Sequence, residues 1–158
     1  MQPFNIVLIE PEIPPNTGNI ARLCAATGSR LHLVGKLGFS TDDRYLKRAG
    51  LDYWEFVDIH YWQDLDALKA HYPAGRFFYL STKVERSYLE VCFVPGDFIV
   101  FGKETKGLPA ELLAANPDTS ITIPMPSEHV RSLNLSTSAG IVLYEALRQT
   151  GMLGGAAR

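Results

Sequence analysis

The chain has 158 residues, 46% of them hydrophobic and 20% charged, with a net charge of −2 and a sequence pI near 6.1. That length suits one domain with a full hydrophobic core, and the charge balance excludes a protein that coats nucleic acid by bulk charge. No apolar run approaches the roughly 20 residues that span a membrane.

The start, MQPFNIVLIE, lacks the basic and small-residue signals of a secretory leader. Cys24 and Cys92 form neither a disulfide framework nor a metal pattern. A cytoplasmic protein is expected.

The first predicted element is an apolar strand at residues 5–9. The stretch EPEIPPNTGNIARLC follows it, with Pro14 and Pro15 ahead of Asn16, Thr17, Gly18 and Asn19. Asn16 reads as an N-cap for a helix over 17–27, whose Ile20, Leu23, Cys24 and Thr27 recur at i, i+3, i+4 and i+7. Asn16, Asn19 and Arg22, spaced by three, are expected on a polar sector away from that stripe. Gly18 costs helix stability, about 1 kcal/mol against alanine, so a close neighbour is expected there. Arg22 offers a donor fork suited to phosphate or a developing oxyanion. A merely capped helix with a solvated arginine fits the pattern equally well.

A second strand is predicted at 31–34. Between Lys36 and Arg48 four cations meet only Asp42 and Asp43, which is either a local basic surface or an ordinary solvated face. Further strands are predicted at 56–59 and 77–80, with a helix over 62–71 between them. The strand at 98–101 runs into FGKETKGLP, and glycine-rich turns after strands are where open α/β sheets bind ligands. Gly102 and Gly107 have a phosphate-loop spacing, but Leu108 and Pro109 stand where Lys and Ser/Thr belong, so a phosphate loop is rejected. No GxGxxG follows the first strand, which leaves a dinucleotide site unsupported. A short helix opens at Pro109 and runs to 115.

The last predicted strand, 121–123, leads into Pro124 and Pro126 and then a loop dense in Ser and Asn. Ser132, Asn134, Ser136 and Ser138 gather near one helix start, and a single N-cap explains only one of them. The final helix is expected over about 134–148. Within AGIVLYEAL, residues 139–147, the only charge is Glu145, so either a partner subunit or the monomer core must cover it. Residues 151–158 read as a frayed, disordered tail. The four histidines show no ligand spacing and read as surface or core residues, with His129 alone inside a polar cluster. Strands that are nearly continuously apolar, alternating with helices, predict one α/β domain over 1–150 built on a mostly parallel sheet.

Taken together, NTGNIARLC, FGKETKGLP and IPM followed by RSLNLSTSAGIVLYE resemble the SPOUT superfamily of RNA methyltransferases, over essentially the whole chain except the tail. Within it the chain looks most like the small 2′-O-methyltransferases of the tRNA wobble nucleotide. The resemblance implies a C-terminal trefoil knot, S-adenosylmethionine as cofactor, a homodimer, and no metal. It implies a site that joins the first cluster of one subunit to the knot of the other.

It places Leu80, Gly102, Gly107, Ile123, Ser132 and Leu133 around the cofactor, and gives Asn16, Arg22 and Glu104 to catalysis. Arg22, Lys47, Arg48, Lys103 and Lys106 are expected to form the RNA-binding cations. The expected substrate is a cytidine or uridine in a tRNA anticodon stem-loop, of leucine isoacceptors. Another tRNA or rRNA ribose, a non-catalytic RNA-binding module, and a small-molecule enzyme using the glycine-rich loop are the alternatives.

Overall fold

The computed structural model describes residues 1–40 and 42–154, without the side chains of residues 47 and 49–51. Eleven regular elements alternate along it. They are β1 (Asn5–Ile9), α1 (Pro14–Thr27), β2 (Arg30–Val34), α2 (Arg44–Gly50), β3 (Ile59–Trp62), α3 (Leu65–His71), β4 (Phe77–Leu80), β5 (Phe98–Phe101), α4 (Ala110–Ala115), β6 (Ser120–Ile121) and α5 (Leu135–Gln149). The six strands form one sheet in the order β3-β2-β1-β5-β4-β6, and every neighbouring pair is parallel. No helix among the described residues is long and apolar enough to cross a membrane.

The period-2 alternation of side chains divides each central strand between two cores. Ile6, Leu8, Phe78, Leu80, Ile99 and Phe101 pack on one face with Ile20, Ala21 and Cys24 of α1 and Val142 and Leu143 of α5. Val7, Phe77, Tyr79, Phe98 and Val100 pack on the other with Leu68 of α3 and Leu113 of α4. Both faces of the sheet are covered, which is why its strands carry no polar alternation. Along α5, Ala139, Val142, Leu143, Ala146 and Leu147 face the core, so most of its apolar surface belongs to the monomer. A strip remains outside: Thr137 is exposed, Gly140 and Ile141 are half-buried, and Tyr144 is 45% exposed.

Four expectations need correction. The predicted strand at 56–59 is displaced: Leu51–Phe56 is a 3₁₀ turn whose Phe56 is 73% exposed, and the strand is Ile59–Trp62. This edge strand is only half-buried, so its HYW sequence lacks the apolar continuity that marks the central strands. The helix predicted from 62 starts at Leu65, capped by Asp64, whose carboxylate accepts from the Ala67 N–H at 2.8 Å. The last strand ends at Ile121, ahead of the prolines. Finally, α1 begins at Pro14, three residues early, because prolines fit a first turn whose N–H groups have no partner within the helix. Asn16 is therefore not the cap. Helix α2 was not anticipated from its charged sequence, RYLKRAG.

At the far side of the sheet, His32 is fully buried. Its Nδ1 accepts from the Trp62 indole N–H at 3.0 Å, so Nε2–H donates to Asn5 Oδ1 at 2.9 Å. Burial, assisted by neighbouring His60, pushes its pKa from an ordinary 6.5 down to about 3. The unfolded chain then takes up a proton below pH 6.5 that the folded chain refuses, so stability falls as pH drops from 6.5 toward 3. Urea melts at pH 6.5 and 5 should show this loss. In His32→Asn the slope over that window should be shallower by up to about 1.4 kcal/mol per pH unit. An unchanged slope would show that the imidazole accepts the proton in place.

Candidate functional site

In this strand order the chain moves outward from β1 to β2 and β3, then returns on the other side through β4 and β5. The loops after β1 and β5 therefore leave the sheet in diverging directions and open a crevice beyond their carboxyl ends, where open α/β sheets bind ligands. A cavity of about 840 Å³ occupies that end of the sheet. It is walled by the ends of β4, β5 and β6, by the start of α1 and by the loop into α5.

The three polar sequence clusters meet here through one hydrogen-bonded chain. The start of α1 has no side-chain cap of its own, and Pro14 and Pro15 carry no N–H. The Glu104 carboxylate, from the loop after β5, takes the exposed donors instead. It accepts from Glu12 N–H at 2.9 Å, Ile13 N–H at 2.6 Å and Asn16 Nδ2 at 3.3 Å. An anion at a helix start also meets the positive end of the helix dipole. The buried Asn16 amide passes the connection on, its Oδ1 accepting from Asn134 Nδ2 at 3.0 Å. Asn134 is in turn the N-cap of α5, accepting from Ser136 N–H at 2.9 Å and Thr137 N–H at 3.3 Å. Two helix starts and the glycine-rich loop are thus held in one register.

Two further carboxylates lace the same loop to β1. Glu12 accepts from the Thr105 hydroxyl at 2.7 Å and its N–H at 3.1 Å, and these bonds hold its pKa below the usual carboxylate value. Glu10 pairs with Lys103 at 2.8 Å, which raises the lysine pKa. The loop closes on itself through Gly107 N–H donating to Lys103 C=O at 2.9 Å, with Gly107 at φ +65°. A Cβ at Gly102 would sit 2.2 Å from the Gly107 carbonyl carbon. The glycine is there because backbone passes directly over it.

Leu80, Gly102, Gly107, Ile123, Ser132 and Leu133, singled out in sequence as cofactor residues, all line the cavity, as do Asn16, Glu104, Lys103 and Lys106. Leu80, Ile123 and Leu133 supply apolar wall beside the hydroxyls of Thr122 and Ser132 and the Asn134 amide, a mixture suited to a compact molecule with an aromatic and a polar part. These residues fit S-adenosylmethionine. Sequence reading missed Glu10, Glu12 and Thr105, and saw Asn134 only as one of several unexplained polar groups. No three His, Cys, Asp or Glu side chains cluster as metal ligands among the described residues, and His129 is exposed and off the cavity.

Arg22 lies elsewhere. Steps of three in an α-helix fall about 60° short of a turn, so Arg22 has rotated about 120° from Asn16. Asn16 is buried in the cavity wall, whereas Asn19 and Arg22 are exposed in a separate shallow hollow with Leu23, Ala26, Ser136 and Thr137. The Arg22 guanidinium stands 5.2 Å from the centroid of the Tyr53 ring. The expected single polar sector is therefore two sites, one inside and one outside. Arg48 is exposed on α2, away from both hollows, and the Lys47 side chain lies outside the described residues.

Comparison with known proteins follows the same lines. A tRNA (cytidine(34)-2'-O)-methyltransferase of Methylovorus glucosotrophus is 50% identical over 152 residues, covering 96% of this chain and 98% of that protein. A solved structure described as "Structural insights into the 2-OH methylation of C/U34 on tRNA" superposes with a TM-score of 0.87 at 46% identity, covering 94% of this chain and 96% of the other. An AdoMet-bound rRNA methyltransferase from Sinorhizobium meliloti superposes with a TM-score of 0.80 at 25% identity, over 92% of this chain and 56% of the longer one. The SpoU rRNA Methylase family model matches residues 3–144, and the chain belongs to that family.

Proposed function

We propose that this protein transfers a methyl group from S-adenosylmethionine to the ribose 2′-oxygen of a wobble cytidine or uridine in cytoplasmic tRNA, with leucine isoacceptors as substrates. The observation that carries this reading is the convergence of all three motif clusters on one cavity through Glu104, Asn16 and Asn134. Identity near 50% along nearly the whole chain to a protein named for that reaction supports the choice of nucleotide.

When bound, S-adenosylmethionine supplies a methyl group activated by its sulfonium. What remains for the protein is to position a weakly acidic hydroxyl and accommodate the negative charge that grows on its oxygen. Glu104, Asn16 and Asn134 fix the cavity wall against which the ribose must lie. A guanidinium such as that of Arg22 is a poor proton acceptor, but it can hold the adjacent phosphate and stabilise charge on the attacking oxygen. That phosphate or a water then takes the proton.

Because Arg22 faces away from its own chain's cavity, the complete site is built from two subunits, with Arg22 delivered by the second. The strip of Thr137, Gly140, Ile141 and Tyr144 on α5, beside the outer face of α1, is the surface offered to that subunit. Obligate interfaces resemble cores cut in half, and this strip is nearly free of charge. The C-terminal trefoil knot belongs to the same reading. In its support, residues after β6 lie along the 81–88 segment, with Thr122 N–H donating to Arg86 C=O at 2.8 Å and Tyr88 N–H to Thr122 C=O at 2.9 Å. From there the chain turns back into the core as α5.

Mass spectrometry of digested RNA from a deletion strain tests the substrate. Wobble 2′-O-methyl cytidine and uridine should disappear and return on complementation. If they persist while a ribosomal or D-loop ribose methyl is lost, the nucleotide is wrong. Binding of tRNA with no methyl transferred to any RNA would leave an RNA-binding module.

A further inference from the structure

The acids around the cavity are spent inward. Glu104 is held by the start of α1, Glu12 by Thr105, and Glu10 by Lys103. Three cations at the mouth are not spent. Lys83, Lys106 and Arg131 all line the cavity and are exposed, and none has an acidic partner within 4.0 Å among the described residues. They come from the loops after β4, β5 and β6, and only the parallel sheet, which gathers these three strand ends on one side, brings them together. Their chain separation hides the grouping in sequence. Lys103, which lines the same cavity, is paired with Glu10 at 2.8 Å.

We propose that Lys83, Lys106 and Arg131 form an arc at the cavity mouth that grips the phosphodiester backbone of the RNA flanking the methylated nucleotide, and that Lys103 has no part in this grip. The inference rests on the reading of the protein as an RNA methyltransferase, and it names the surface that holds the substrate. A chain of net charge −2 has no bulk field to hold a polyanion, so affinity must come from a few local cations. Lysine and arginine at the rim of a cavity can hold backbone while the target nucleotide enters, as single-stranded loops allow. The other anion that could reach this arc is the carboxylate of the cofactor, and the two assignments separate by experiment.

The test uses the full chain with Lys83→Gln, Lys106→Gln and Arg131→Gln, alone and together, and exposed Lys36→Gln, off the cavity, as control. Equilibrium binding of a tRNA anticodon stem-loop is measured from low to moderate salt, with cofactor affinity by calorimetry. Each arc variant should weaken RNA binding about three- to tenfold and flatten the slope of log K against log salt by about 0.7, the single-strand value per phosphate contact. The triple variant should lose about three times that slope, with cofactor affinity unchanged. The Lys36→Gln control should match wild type, and Lys103→Gln should leave the slope unmoved whatever it does to turnover. Unchanged slopes in the arc variants, or a loss of cofactor affinity in place of RNA affinity, would overturn the arc. Because binding is read without turnover, these failures remain distinct from a wild-type protein that methylates no tRNA.

Discussion

Arg22→Ala will lower kcat for methyl transfer by about 10²- to 10³-fold, the range seen when one preorganised donor to a developing oxyanion is removed. Cofactor affinity will stay within about twofold of wild type, because in the proposed site Arg22 meets the substrate phosphate and the attacking oxygen, while the cofactor is held by the cavity residues, which do not include Arg22. The fold will also survive. Arg22 is exposed, with its guanidinium over the Tyr53 ring, and surface substitutions of that kind usually change stability by about 0.5 kcal/mol or less. An interaction made mainly in the transition state lowers kcat and kcat/KM together, and that pattern is the expected signature. Single-turnover assays with saturating cofactor and tRNA check it. Turnover within about threefold of wild type would remove Arg22 from the chemistry.

That result matters because Arg22 is the residue sequence reading placed least well. The spacing of Asn16, Asn19 and Arg22 looked like a ladder on one face. The helix instead turns it into a spiral, with only Asn16 reaching the cavity. The shift of the α1 start to Pro14 has the same origin: sequence scoring favours Asn as a cap, but here the capping carboxylate comes from Glu104, 88 residues away. No local pattern announces a cap supplied from so far along the chain. The pairings of Glu10 with Lys103 and of Glu12 with Thr105 are equally non-local, and were missed for the same reason.

What could be read well was what local physics decides. Apolar runs such as FFYL and FIVF are buried on both sides, so β4 and β5 were bounded correctly, and β1 likewise. The half-buried edge strand β3 and the short polar helix α2 lack that signal and were misplaced or missed. For the cavity, the glycine-rich loop and the Ser/Asn-rich segment were visible as excess polarity that capping alone could not explain. The positions of Leu80 and Ile123 came from family resemblance, since nothing in an apolar strand end distinguishes a pocket wall from a core. The open question of the α5 cover resolved into a division: the monomer core takes one face and leaves the strip through Tyr144 exposed.

Gly102→Ala should abolish cofactor binding at concentrations that saturate wild type, a loss of at least about thirtyfold, for a reason of space rather than backbone freedom. The added Cβ would lie 2.2 Å from Gly107 C, 2.4 Å from Leu108 N and 2.5 Å from Gly107 O. All three are backbone atoms, so no rotamer change relieves the clash and the 103–107 loop must lift. Lifting it breaks the Lys103–Gly107 bridge and draws Glu104 away from the start of α1. Gly107→Ala is the contrast: nothing lies within 4 Å of its Cβ, and the cost is the φ of +65°, about 1–2 kcal/mol, with cofactor binding largely kept. Calorimetric titration of both variants decides the matter, and Gly102→Ala binding within about threefold of wild type would show that the loop yields freely. The variant also tests the two-subunit site. Co-expressed with Arg22→Ala, it should form mixed dimers in which, on the two-subunit reading, one site joins an intact cavity to an intact Arg22 while the other lacks both. Random pairing of two individually inactive chains should then restore about a quarter of wild-type activity. A mixture as inactive as its parents, with mixed dimers present, would place Arg22 and the cavity it serves in the same chain.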